Sequence, residues 1–132
     1  MAKIAILGYG TVGSGVAHVL DVNVPEVAGS AGEEVSVKAI LDLREFPGDP
    51  HEAQVTHDFQ TILADPEITV VCETMGGVKP AYEFTRQALE AGKSVCTSNK
   101  ELVAKHGPEL CRIARDHQVS YLFEASVGGG IP

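Results

Sequence analysis

Strand-length apolar runs alternate with helix-length amphipathic stretches along this whole sequence. That alternation predicts an α/β protein built on a doubly wound parallel sheet. Two further observations agree. Hydrophobic residues make up 44% of the chain but aromatics only 5%, with no Trp, so the core must come from Val, Ile, Leu and Ala, as a sheet buried on both faces requires. The length, 132 residues, fits a single domain spanning 1–132.

The elements run in order. Lys3 to Leu7 is a short apolar run stopped by Gly8, and reads as a buried strand. Thr11 to about Val22 reads as a helix, with Val12, Val16, Val19 and Leu20 on one face. Residues 23–34 carry Asn, Pro, Gly, Ser and acids, and read as a surface connection. Val35 to Leu41 is a second strand, ending at Asp42, and Pro47-Gly48-Asp49-Pro50 marks a loop. A short edge strand is expected around Gln54 to His57, then a short helix capped by Asp58 and running through Leu63. Ile68 to Glu73 is a fourth strand. Lys79 to Ala91 is a helix closed by Gly92, and Ser94 to Thr97 is a fifth strand. Pro108 is expected to split the next helical stretch in two, one helix over Asn99 to Ala104 and another restarting at Gly107. Val119 to Phe123 is the sixth strand. The economical arrangement of these strands has the order 3-2-1-4-5-6, with ligands beyond the carboxyl ends of the strands.

Charge and cysteine content narrow the partners. The formal net charge of −8 argues against nucleic acid and anionic membranes. It leaves an anionic small molecule open, because local donors decide phosphate binding once distant charges are screened. Cys72, Cys96 and Cys111 show no C-x-x-C spacing, so buried reduced thiols in a cytoplasmic protein are expected. The N-terminal run Ile4 to Leu7 is far too short to span a bilayer.

Gly8-Tyr9-Gly10-Thr11-Val12-Gly13 lies between the first strand and the first helix, the context that gives G-x-G-x-x-G its meaning. Gly8 permits the turn, Gly10 lets a pyrophosphate approach the backbone, and Gly13 lets helix and strand pack closely. Amides at the helix start then donate to phosphate oxygens. The fold expected is therefore Rossmann-type, and the ligand an NAD or NADP dinucleotide. Asp42, at the end of strand two, is placed to accept ribose hydroxyls of NAD, whereas Arg44 is placed to pair with the 2′-phosphate of NADP. The choice stays open, with a slight lean to NAD. Thr74-Met75-Gly76-Gly77 comes after strand four, and Thr97-Ser98-Asn99-Lys100 comes at the end of strand five. Ser98, Asn99 and Lys100 bring hydroxyl, amide and ammonium groups to the ligand edge, where Lys100 could hold a carboxylate or move a proton. Asn99 also suits a helix cap. The five histidines lack ligand spacing and are assigned no role.

The motifs at 4–15, 73–77 and 97–100, with Glu124-Ala125-Ser126-Val127-Gly128-Gly129-Gly130-Ile131-Pro132, resemble homoserine dehydrogenase in order and over essentially the whole chain. The resemblance implies NAD(P)-dependent interconversion of L-homoserine and L-aspartate 4-semialdehyde, a step toward threonine and methionine. It implies cofactor contacts at Gly10, Thr11, Val12, Thr74, Met75, Ser98 and Lys100, with Lys100 as an active-site lysine. It also implies a Na+ or K+ site on main-chain carbonyls of Glu124, Val127, Gly129 and Ile131. In this family a second domain carries substrate-binding acids and most of the homodimer interface, so little or no turnover is expected from residues 1–132 alone. Two alternatives stay open on the sequence: a stand-alone NAD(H)-binding module that senses redox state, and the cofactor domain of another amino-acid or semialdehyde dehydrogenase.

Overall fold

The computed structural model describes residues 2–22 and 35–123. Among them six strands form one all-parallel sheet: β1 (Ala2–Leu7), β2 (Val35–Leu41), β3 (Val55–Thr56), β4 (Ile68–Glu73), β5 (Ser94–Thr97) and β6 (Tyr121–Phe123). Their order is β3-β2-β1-β4-β5-β6, the order the sequence predicts. The helices are α1 (Thr11–Val22), α2 (Phe59–Leu63), α3 (Lys79–Glu90) and α4 (Lys100–Asp116), with a 3-10 turn at Glu52–Gln54 before β3. None of the described helices is long and apolar enough to cross a membrane.

Alternate residues of β1 feed two cores. Ile4 and Ile6 join Val37, Ile40 and Ala17 on the α1 face. Ala5 and Leu7 join Val71, Val95, Ile62, Leu89, Leu102 and Leu110 on the face covered by α2, α3 and α4. Both neighbours of β1 carry an irregularity in register. Ile4 pairs with Val37 but Ala5 with Ala39, so Lys38 is an extra residue in β2. Lys3 pairs with Ile68 but Ile4 with Val70, so Thr69 is an extra residue in β4. Each bulge turns an outlying polar side chain away from the core and resets the alternation. Lys38 uses that freedom to reach Asp65 and Glu67, at 2.7 and 2.6 Å.

Three expectations need correction. The apolar spacing puts Val12 on the buried face of α1, but it is 51% exposed, and Gly13 and Ala17 face the sheet instead. Small residues at that spacing let the helix lie close to β1. Val19 and Leu20, expected on the same face, have side chains outside the described residues. The region after Asn99 is one helix, not two: α4 runs through Pro108. Proline costs about 3 kcal/mol or more inside a helix. Against that, Leu102 and Leu110 lie on one stripe, both fully buried, each worth about 1.5–3 kcal/mol. Ala104, whose carbonyl loses its partner to the proline, is on the exposed side with Pro108. Finally, β6 begins at Tyr121 rather than Val119, because the chain leaves α4 through Gln118 at φ 60° and residues up to Ser120 complete that exit.

Candidate dinucleotide site

The carboxyl ends of β1, β2, β4 and β5 carry the groups that the sequence singles out. Gly8 turns the chain at φ 92°, in the left-handed region, and its N–H donates to the Leu41 carbonyl at 2.8 Å. A Cβ on Gly13 would fall 2.0 Å from the Gly8 carbonyl oxygen and 3.0 Å from Thr74 Oγ1, so only glycine fits there. The Thr74 hydroxyl donates to the carbonyls of Leu7 and Gly8, at 3.0 and 2.7 Å, which ties the β4 exit to the glycine turn. Met75 packs beside Gly8: its Cγ lies 3.1 Å from where a Cβ on Gly8 would be. Helix α1 starts at Thr11, with Gly10 and Val12 exposed beside it and Gly10 accepting from the Ser14 N–H and hydroxyl.

Asp42 and Arg44 form one unit. Asp42 Oδ2 accepts from the Tyr9 N–H at 2.9 Å and from Arg44 Nη2 at 2.9 Å, while Oδ1 accepts from the Arg44 N–H and Nε. The Arg44 guanidinium holds the carboxyl well below the usual carboxylate range, against burial, which pushes the other way. The Asp42 side chain is 8% exposed and that of Arg44 62%. The guanidinium lies over the Phe46 ring, 5.2 Å from its centroid, and 4.0 Å from where a Cβ on Gly10 would be. A cation therefore stands at the mouth of α1, on a pivot supplied by the acid that holds it. The Tyr9 hydroxyl donates to Asp49 at 2.8 Å, fastening the 43–50 loop to the glycine turn. His57, assigned no role from sequence, bridges the Asp42 carbonyl and Glu45, and both contacts raise its pKa.

Beside this unit opens a mostly apolar cavity of about 710 Å³, walled by Leu43, Arg44, Phe59, Met75, Pro80 and Phe84. It joins the β2 exit to the starts of α2 and α3. Phe59 and Phe84 meet at 4.5 Å between ring centroids, and Asp58 caps α2 as expected, accepting from the Gln60 N–H.

On the other side of the switch point the two loops are held by Glu73, a residue of the 73–77 motif to which the sequence assigns no role of its own. Glu73 ends β4 fully buried. Its carboxyl accepts from the Thr97 hydroxyl at 2.6 Å, the Met75 N–H at 2.8 Å and the Asn99 amide at 3.4 Å. Burial pushes its pKa up, opposed by those three donors. Its sequence signals are an acid closing an otherwise apolar strand and its place at the head of the 73–77 motif. Asn99 caps α4 through the Leu102 N–H and also donates to the Gly77 carbonyl at 2.6 Å. Ser98 is half-buried with its N–H on the Glu73 carbonyl, and Lys100 stands exposed on the first turn of α4. Gly76 is exposed, with open space around it. The carbonyl set expected at Glu124, Val127, Gly129 and Ile131 lies outside the described residues. Among the described residues no three His, Cys, Asp or Glu side chains gather as a metal site.

The fold that carries these groups is shared with known proteins. Residues 8–124 match the family model described as homoserine dehydrogenase, NAD binding domain. The chain belongs to that family. It is 43% identical to the homoserine dehydrogenase of Pseudomonas aeruginosa, over 98% of this chain and 30% of the relative. It is 40% identical to that of Lactococcus lactis, over 98% of this chain and 32% of the relative. Among solved structures, the homoserine dehydrogenase of S. aureus at pH 8.5 superposes with a TM-score of 0.84 at 34% identity, covering 95% of this chain and 32% of the other. That of Thiobacillus denitrificans gives 0.84 at 38% identity, covering 95% and 30%. The chain thus spans about a third of the length of the homoserine dehydrogenases it matches.

Proposed function

We propose that this chain is the dinucleotide-holding part of an NAD(P)-dependent homoserine dehydrogenase, interconverting L-homoserine and L-aspartate 4-semialdehyde. The observation that carries the reading is the bare cradle at the head of α1, where the backs of Gly8 and Gly13 meet with no room for a side chain. Amides at the first turn bind the pyrophosphate. The apolar cavity behind Leu43 and Phe84 takes the adenosine, and the loops at 74–77 and 97–100 receive the nicotinamide side. When bound, the nicotinamide supplies the hydride acceptor or donor. Lys100 Nζ then holds the substrate carboxylate or exchanges a proton at the substrate oxygen, from a helix turn whose dipole disfavours a cation by about 0.3–1 kcal/mol. The mismatch supports a role for that side chain beyond helix formation.

For the ribose, Asp42 favours NAD. The second reading, NADP, is favoured by one observation: the Arg44 guanidinium beside Gly10 is mostly exposed and needs only to leave Asp42 to meet a 2′-phosphate. Fluorescence titration of NADH and NADPH into the chain separates them. Asp42→Ala is expected to weaken NADH more than NADPH, and Arg44→Ala to weaken NADPH by about tenfold or more while sparing NADH. Equal losses for both cofactors in both variants contradict the assignment.

Hydride transfer also needs the alcohol carbon fixed against the nicotinamide, and such positioning is worth about 7–11 kcal/mol of barrier. Substrate contacts of that strength are expected from the part of the enzyme beyond these 132 residues. Homoserine oxidation by residues 1–132 should be barely detectable in an assay of cofactor reduction, and a rate near that of a whole dehydrogenase contradicts this division of labour.

A further inference from the structure

Cys72 and Cys96 are direct partners in the β4–β5 register, and their sulfurs lie 3.3 Å apart. Both side chains are half-buried on the α1 face of the sheet. Ile6, Cys72, Cys96 and Leu122 are successive register partners across β1, β4, β5 and β6. Exposure along that row rises from 0% at Ile6 to 61% at Leu122, so among the described residues this end of the face is open to small reagents. We propose that Cys72 and Cys96 are a dithiol oxidation site, which peroxide converts to a reversible intramolecular disulfide, with Cys111 outside it.

Sheet geometry permits the bond. Neighbouring strands run about 4.8 Å apart, inside the roughly 4.4–6.8 Å Cα range that disulfides accept. The sulfurs need to close by about 1.3 Å to bonding distance. The contact with Cys96, together with burial, pushes the Cys72 thiol up. The thiolate of one cysteine of the pair attacks one peroxide oxygen, the O–O bond breaks, and the departing hydroxide takes up a proton as water. The resulting sulfenic acid is attacked by the other cysteine's sulfur as its proton leaves, the S–O bond breaks, and a second water departs. Two thiols are oxidised by one equivalent of peroxide, and two waters are formed. Cys111 belongs to α4, packed against the core on the opposite face of the sheet.

The dithiol site stands on the sheet register and does not depend on the assigned enzyme. Its test is hydrogen peroxide treatment of the folded 132-residue chain, alkylation of remaining thiols in denaturant, and intact-mass and peptide analysis. The expected result is loss of two hydrogen masses, one alkylated cysteine at Cys111, a Cys72–Cys96 linked peptide and full reversal by dithiothreitol, with the circular dichroism unchanged. Cys111→Ser should lose the same two hydrogens. Cys72→Ser should lose none and should leave Cys96 as a sulfenic acid trapped by dimedone. Three alkylated cysteines, three over-oxidised ones, a disulfide that includes Cys111, or linkage only after unfolding each overturn it.

Discussion

Glu73 seals the space beneath the 74–77 and 97–100 loops, and its carboxyl is the shared acceptor for Thr97, Met75 and Asn99. A buried donor left without an acceptor costs about 1–3 kcal/mol. Glu73→Leu should therefore destabilise the chain by at least about 2 kcal/mol in urea unfolding, and it should weaken dinucleotide binding as the 74–77 and 97–100 loops come apart. The carboxyl also leaves a signature in pH. Burial raises its folded pKa above the ordinary 4.5, so the folded state keeps a proton that the unfolded chain has already released. Its contribution to stability is fully present below about 4.5 and is lost as pH rises through the folded pKa. Glu73→Gln, which cannot ionise, should flatten that decline in urea midpoints taken between pH 4.5 and 8; a slope identical to the parent's would show that Glu73 is ionised alike in both states. The sequence offers little warning of this residue. An acid at the end of a strand reads as a loop charge, and only the β4–β5 register and the Asn99 cap reveal that it is enclosed. Asp42 and Arg44 are legible in the sequence as charged residues just beyond the end of β2, but not that each holds the other.

At the scale of elements, α1 and its glycine turn are readable because the motif is local. Strand, turn and helix succeed one another within a dozen residues, and Gly8 and Gly13 each have a steric reason. Gly15 does not share it. A Cβ on Gly13 collides with the Gly8 carbonyl, whereas one on Gly15 meets nothing within 4 Å. Gly13→Ala is expected to cost about 1–3 kcal/mol through overpacking and to reduce cofactor affinity sharply. Gly15→Ala should instead stabilise α1 by up to about 1 kcal/mol, since it removes the glycine penalty in a helix interior. Paired thermal melts and cofactor titrations check both, and equal effects of the two substitutions would contradict the packing described. The continuity of α4 is not legible in the sequence. The local rule that proline ends a helix is outweighed by apolar burial on the far side of that helix, a quantity set by tertiary contacts. The bulges at Lys38 and Thr69 are hidden for the same kind of reason: register belongs to a pair of strands, and one sequence run does not contain it.

For the whole molecule, the strand order comes from alternation, right-handed crossovers and short connections, so it is readable in full. That order places the β1–β4 switch point where the glycine turn, the Asp42–Arg44 unit and the Glu73-bound loops meet. The apolar cavity is less predictable, because its walls come from segments distant in sequence. Every functional assignment rests on amides at the head of α1 holding a diphosphate. Amide-resolved NMR of the chain during addition of NADH tests that contact most directly. The largest shifts are expected at Gly10 to Ser14, with accompanying shifts at Asp42 to Arg44 and at Thr74 and Met75. Shifts confined to other parts of the sheet, or none at ligand concentrations that saturate a dehydrogenase, would contradict it.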